Sequence, residues 1–191
     1  FTSHWFERRG LRQHYLDEGN GDPVLMLHGN PSWSYYYRHL ILRLRDSYRC
    51  IAPDHIGMGL SDKPPTTGYD YHLAQRVDDL EALLQHLGNP SKLTLVLHDW
   101  GGMIGMAFAC RYPQRIKRLV ILNTAAFPNP KGSHLPLALR FGRDSRLGKW
   151  SILRHNAFAR GAAYFGVRHP MSAQVRAAYL APYDTPEHRI A

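Results

Sequence analysis

The 191-residue sequence is short of cysteine, of acidic side chains and of long apolar runs, and each shortage removes a class of protein. Only Cys50 and Cys110 occur, each inside an apolar pattern and with no C-x-x-C pair. That excludes a disulfide framework and a thiolate metal site, and both thiols are expected to be buried and free. No stretch reaches the roughly 18 apolar residues of a membrane span, and residues 1–7 lack the basic-then-apolar layout of a signal peptide. A soluble, cytoplasmic protein with no transmembrane segment is expected. Acidic residues number 15 against 24 Lys and Arg, for a net charge of +9. Residues 128–191 hold most of that excess, with ten basic side chains against three acidic. There Arg140, Arg143, Arg146, Lys149, Arg154 and Arg160 stand singly among apolar residues, never in a block. They read as the solvated face of helices, and no nucleic-acid partner is expected. No His, Cys or Asp group has ligand spacing, so neither a metal nor another cofactor is expected.

What is present suits one sizeable core, with 44% hydrophobic and 20% charged residues. The chain opens on Phe1 and closes on Ala191 without a helix stop or a polar tail, so a piece of a longer protein is expected. Alternation over residues 11–17 suits an edge strand, and the turn residues Glu18-Gly19-Asn20-Gly21-Asp22-Pro23 follow it in a hairpin arm. Val24-Leu25-Met26-Leu27 and Leu93-Thr94-Leu95-Val96-Leu97 are apolar runs of the kind buried on both faces of a parallel sheet, and shorter strands are expected near residues 49–54 and 119–122. Helical spacing covers residues 33–44, 73–87 and 103–111. The second of these carries Leu73, Val77, Leu80, Leu84 and Leu87 on one face and stops before Gly88. Strands alternating with helices imply an α/β fold with a doubly wound, mostly parallel sheet. After residue 128 the pattern turns to basic amphipathic helices without strands. Residues 1–128 therefore read as the first part of the core and residues 129–191 as an inserted, incomplete helical cap.

The chemistry concentrates at two strand ends. In Leu97-His98-Asp99-Trp100-Gly101-Gly102 an aspartate occupies the sharp strand-to-helix turn known as a nucleophile elbow, which lifts one side chain above the carboxyl edge of the sheet. A helix N-terminus favours the ionised carboxylate, a nucleophile suited to sp³ carbon or a strained ester. Asp is also a good helix N-cap, and that simpler role competes. His28-Gly29-Asn30-Pro31 breaks off an earlier central strand, where an α/β sheet of this kind places its second set of anion-stabilising donors. The Asn30 amide and the donor-only indole of Trp100 are the candidate substrate-binding groups, with Asp99 as the catalytic one.

These strings, together with Ser32-Trp33-Ser34-Tyr35-Tyr36 and Pro53-Asp54-His55-Ile56-Gly57-Met58-Gly59-Leu60-Ser61-Asp62-Lys63-Pro64, resemble the haloalkane dehalogenase group of α/β-hydrolases. Within that group, Arg76-Val77-Asp78-Asp79-Leu80, Leu122-Asn123-Thr124-Ala125-Ala126-Phe127-Pro128, Asn156-Ala157-Phe158 and Ala181-Pro182-Tyr183-Asp184 resemble the β-lactone decarboxylases of bacterial long-chain olefin biosynthesis. The resemblance implies that Asp99 attacks, that Asn30 and Trp100 hold the developing anion, and that a histidine acts later. In this family that histidine follows the last strand, so it and the final strands are expected beyond residue 191. His98 is expected to point away from the site. Some dehalogenases carry their supporting acid 24 positions after the nucleophile. Here that position is Asn123, so the acid is expected outside the chain as well.

The implied reaction is decarboxylation of a long-chain cis-β-lactone (a cis-3-alkyl-4-alkyloxetan-2-one) to a cis-alkene and CO2. Haloalkane dehalogenation is the alternative. An epoxide hydrolase drawing on Tyr164, Tyr179 or Tyr183 and a non-catalytic scaffold are the lesser ones. A long alkyl substrate needs an apolar passage, for which Leu135, Leu137, Leu139, Phe141, Trp150, Ile152, Leu153 and Phe158 are candidates. The pathway resemblance also implies a multi-enzyme assembly with other olefin-forming enzymes.

Overall fold

The computed structural model describes residues 1–127 and 136–190. Six strands form one mixed sheet: β1 (Ser3–Arg8), β2 (Leu11–Glu18), β3 (Asp22–Leu27), β4 (Tyr48–Pro53), β5 (Leu93–His98) and β6 (Ile116–Leu122), in the spatial order β1-β2-β4-β3-β5-β6. The β1/β2 and β2/β4 pairs are antiparallel; β4, β3, β5 and β6 run parallel. The opening hairpin is thus β1 with β2, turning at Arg9 and Gly10, both at positive φ. β2 is an interior strand and not the expected edge. Its alternating residues are covered because β1 pairs along its full length, and residues 13–16 are buried.

Helices α1 (Arg38–Leu44), α2 (Leu73–His86) and α3 (Trp100–Arg111) cover the sheet. Successive side chains of a strand point to opposite faces, and the core divides accordingly. Leu25, Leu27, Ile51, Leu95 and Leu97 pack against Val77, Leu80 and Leu84 of α2 and Ile104 and Phe108 of α3. Val24, Met26, Cys50, Ala52 and Val96 pack on the other face against Tyr37 and Ile41. Each fully buried Leu or Phe contributes about 1.5–3 kcal/mol of transfer free energy, which is why β3 and β5, apolar on both faces, lie at the centre. α2 ends as its sequence implies: Gly88 takes φ 83° and the Asn89 N–H returns to the Leu84 carbonyl at 2.8 Å. Residues 33–44 are not one helix. A 3-10 turn (Ser34–Tyr37) precedes α1.

Two burial expectations fail. Cys50 is buried, but Cys110 is exposed, because α3 presents Ile104, Gly105 and Phe108 to the sheet and residue 110 falls on the opposite side. The run Leu119-Val120-Ile121-Leu122 forms the outer strand β6, and all four side chains are exposed. An apolar outer strand offers its unpaired backbone and side chains for further pairing.

Four helices follow: α4 (Leu137–Asp144), α5 (Arg146–His155), α6 (Ala157–Phe165) and α7 (Ala173–Leu180). Ser145 caps α5 by accepting from the Gly148 N–H at 2.9 Å, and a Cβ at Gly148 would lie 2.7 Å from the Phe141 carbonyl carbon, so α4 and α5 meet closely. Asn156, at φ 54°, turns the chain between α5 and α6. The expected boundary at 128/129 and the candidate Leu135 lie outside the described residues. Leu137, Leu139, Phe141, Trp150 and Leu153 are exposed, while Ile152 and Phe158 are half-buried. Among the described residues, no helix is long and apolar enough to cross a membrane.

Candidate active site

Parallel β3 and β5 are neighbours, with Leu27 opposite Leu97 in register, so the turns that follow them meet above one sheet edge. Asp99 joins β5 to α3 with φ 50° and ψ −126°. A non-glycine residue in such a conformation is strained by roughly 1–3 kcal/mol and persists only where its surroundings impose it. Three contacts do so. The Asp99 carbonyl accepts from the Gly102 N–H at 2.9 Å and from the Thr124 hydroxyl at 2.6 Å, and the Asp99 Oδ1 accepts from the Asn30 N–H at 2.9 Å. Although Asp99 stands at the N-cap position of α3, its side chain makes no capping hydrogen bond. The carboxylate is turned away from the helix and towards the turn after β3, which removes the simpler capping role.

Missing side chains make this approach possible. A Cβ on Gly29 would lie 2.6 Å from Asp99 Cγ and closer still to its Cβ and Oδ1. One on Gly102 would lie 2.6 Å from Thr124 Cβ, and one on Gly101 2.7 Å from the His28 carbonyl oxygen. Real Cβ atoms do not sit so close, so these glycines set the spacing of strand, helix and nucleophile turn.

Asn30 therefore has a second task that its sequence position did not reveal. Besides a side-chain amide, it supplies the backbone N–H that orients Asp99. Trp100 begins α3 directly after Asp99 and is 37% exposed. The three candidate residues are thus brought together at one junction. No sequence signal marks Thr124, which lies just past the end of β6, the strand that pairs with the elbow strand. Asn123 takes φ 41° and is exposed, so the position expected for a supporting acid carries no charge.

A buried polar layer lies under the turn. Asp54, fully buried, accepts from His14 Nδ1 at 2.9 Å, from the Ser34 N–H at 2.6 Å and from the Leu60 N–H at 2.9 Å. Burial alone would raise its pKa, but the His14 hydrogen bond, the nearby His28 and His14 rings and the Leu60 N–H together hold the carboxyl below its usual range. His28 Nε2 accepts from the His55 N–H at 3.1 Å, so its proton sits on Nδ1, 2.9 Å from the Gly29 carbonyl. His55 Nε2 donates to the His28 carbonyl at 3.0 Å. Burial lowers the pKa of both rings, that of His55 well below the usual imidazole value, and both are neutral at pH 7. His98 stacks on Tyr36 with ring centroids 4.5 Å apart, and burial lowers its pKa despite the Asp99 charge. Among the described residues, no histidine ring hydrogen-bonds the Asp99 carboxylate and no group of three His, Cys, Asp or Glu is placed to hold a metal.

Comparison with known proteins places this geometry in context. The chain is 56% identical over 191 residues to the cis-3-alkyl-4-alkyloxetan-2-one decarboxylase of Shewanella oneidensis, covering 100% of this chain and 60% of that protein. It is 55% identical over 190 residues to the protein of the same name from Xanthomonas campestris, covering 96% and 63%. Haloalkane dehalogenase 2 of Mycobacterium tuberculosis is 39% identical over 184 residues, with 95% and 62% covered. The chain thus spans a little over three fifths of the length of these relatives. Among solved structures, the haloalkane dehalogenase DbeA of Bradyrhizobium elkani superposes with a TM-score of 0.87 at 32% identity, over 98% of this chain and 66% of that one. A family model described as the alpha/beta hydrolase fold matches residues 22–161. With its sheet order, its elbow and this match in agreement, the chain belongs to the alpha/beta hydrolase fold family.

Proposed function

We propose that this chain carries the nucleophile and anion-holding turn of a β-lactone decarboxylase that converts a long-chain cis-β-lactone to a cis-alkene and CO2. The observation that carries the reading is the Asp99 carboxylate held at an elbow by the Asn30 N–H. This arrangement favours a carboxylate nucleophile but serves a dehalogenase equally. The choice of substrate leans on the 56% and 55% identity to the two decarboxylases against 39% to the dehalogenase.

In the proposed reaction an Asp99 oxygen attacks C4, the sp³ ring carbon bonded to the ring oxygen. That C–O bond breaks, and its pair leaves on what becomes a free carboxylate. The bond between the neighbouring carbon, C3, and this carboxylate then breaks; its pair forms the π bond between C3 and C4 as Asp99 departs from C4 with its own pair and CO2 is released. Asn30 and Trp100 stabilise the anion at each stage. Charge and atoms balance without a proton. In the dehalogenase reading the alkyl-enzyme ester instead needs an activated water, and hence the later histidine. That histidine, the supporting acid and strands that cover β6 are proposed to lie outside residues 1–191. We assign residues 1–128 to the core and 129–191 to the cap. The bacterial olefin pathway, a cytoplasmic location and partner enzymes in a multi-enzyme assembly belong to the same proposal.

An epoxide hydrolase is disfavoured because its cap tyrosines are engaged elsewhere. Tyr179 accepts from Arg38, Tyr183 donates to the Ser32 carbonyl, and Tyr164 lies under Arg176. The test is to offer the protein a cis-β-lactone and a 1-bromoalkane of equal length, reading alkene with CO2 and bromide with alcohol. Alkene from the lactone is expected; bromide and alcohol without alkene would reject the decarboxylase.

A further inference from the structure

The glycine-rich run at residues 57–62 has no part in the chemistry above, yet it lies against the turn that holds Asn30. Gly59, at φ 53°, packs so closely on Asp54 that a Cβ would lie 2.8 Å from Asp54 Oδ1. Asp54 in turn binds the N–H groups of Ser34 and Leu60. Into this junction comes Tyr183, from the 3-10 turn Ala181–Tyr183 that follows α7. Tyr183 is only 4% exposed, and its hydroxyl donates to the Ser32 carbonyl at 3.3 Å. That hydroxyl therefore ties the 3-10 turn after α7 to the turn after β3.

The tyrosine is itself held. Its carbonyl accepts from Asn156 Nδ2 at 3.1 Å and from Arg189 Nε at 2.8 Å. Ser32, its target, closes the turn by donating through both N–H and Oγ to the Gly29 carbonyl, at 3.0 Å each. Gly29 abuts Asp99, and the next N–H, that of Asn30, binds the carboxylate. Burial raises the Tyr183 pKa, so the hydroxyl keeps its proton and remains a donor.

We propose that Tyr183 is a positioning residue: by donating to the Ser32 carbonyl its hydroxyl fixes the turn that aims the Asn30 N–H at Asp99. The helical segment thereby sets the nucleophile's geometry from a distance, without touching substrate. The consequence for turnover rests on the function proposed above; the consequence for the turn does not.

Tyr183→Phe keeps the ring and removes the hydrogen bond to the Ser32 carbonyl. Amide exchange in the 191-residue chain, followed residue by residue by NMR, should rise about five- to tenfold at Asn30 and Ser32, as expected for the loss of one buried bond. The amides of Leu25 and Leu95, in the central strands, should not change. Asn156→Gly, which removes one of the two donors to the Tyr183 carbonyl and tolerates the left-handed backbone, should give a smaller rise at the same two amides. In the active protein, Tyr183→Phe should lower kcat about tenfold with KM within twofold. Unchanged exchange at Asn30 and Ser32, or an equal rise at all four amides, would overturn the positioning role whatever turnover does. Faster exchange with unchanged kcat would leave the clamp standing and count against the functional reading instead.

Discussion

Gly29→Ala tests whether the contact between the two turns controls the nucleophile. The new Cβ would lie 2.6 Å from Asp99 Cγ and nearer still to Asp99 Cβ and Oδ1. Ordinary carbon contacts are about 3.5–4.0 Å, so the turns must part by roughly 1 Å. That motion stretches the 2.9 Å bond from the Asn30 N–H to Asp99 Oδ1 beyond hydrogen-bond range. Overpacking costs about 1–3 kcal/mol and the lost charge-assisted bond about 1.5–3 kcal/mol. Partial relief of the strain at Asp99 offsets some of this, leaving a net loss of about 2–4 kcal/mol. For a chain of this size the melting temperature should fall by roughly 5–15 °C. A displacement near 1 Å at the attacking atom should slow the chemical step about 100-fold. Thermal unfolding followed by circular dichroism and single-turnover kinetics measure the two effects. Gly161→Ala is the control, since nothing lies within 4 Å of its Cβ position in α6, and it should stabilise by about 0.5–1 kcal/mol. Equal melting temperatures for Gly29→Ala and the unaltered protein, with turnover within threefold, would show that the close contact does not set the geometry.

Asp99→Asn keeps the shape and an acceptor for the Asn30 N–H but removes the nucleophile. Turnover should fall by roughly 10⁴–10⁶-fold with melting little changed, and a freshly purified, undeamidated Asn variant that retained activity would refute the assignment. His55 is buried neutral with its pKa well below 6.5, so the unfolded chain binds a proton that the folded chain refuses. Its contribution is complete above pH 6.5 and is lost as pH falls below it, with a slope approaching about 1.4 kcal/mol per pH unit; a flat urea-unfolding free energy from pH 7.5 to 5.5 would contradict this. Thr124→Val removes the 2.6 Å donor to the Asp99 carbonyl. It should destabilise by about 1 kcal/mol and lower kcat more than it raises KM. In the 191-residue chain, Ile121→Lys places a charge on the exposed outer strand. It should reduce self-association in light scattering while changing unfolding by less than about 0.5 kcal/mol.

Local patterns made much of this molecule legible. The central strands could be read because β3 and β5 are apolar on both faces, and the α2 boundary because Gly88 takes the left-handed turn that other residues avoid. Asp99, Asn30 and Trp100 were legible because a strand-to-helix turn and its neighbour place few residue types at fixed offsets. Other features depended on partners far along the chain. β2 became interior because β1 folds over it; Cys110 became exposed because α3 turns its other face to the sheet; β6 became an exposed outer strand because its neighbours lie on one side only. Whether Asp99 caps a helix or aims at a ligand is decided by a bond spanning 69 positions, from the Asn30 N–H. Nor did any local signal mark Tyr183 for its proposed positioning role, which arises where a helical turn meets a loop 151 positions earlier. Sequence determined most of the elements and singled out the candidate site residues, since these follow from short-range periodicity and turn sterics. Tertiary structure alone decided which strands are covered and which way the nucleophile points, because those depend on contacts that exist only once distant segments pack.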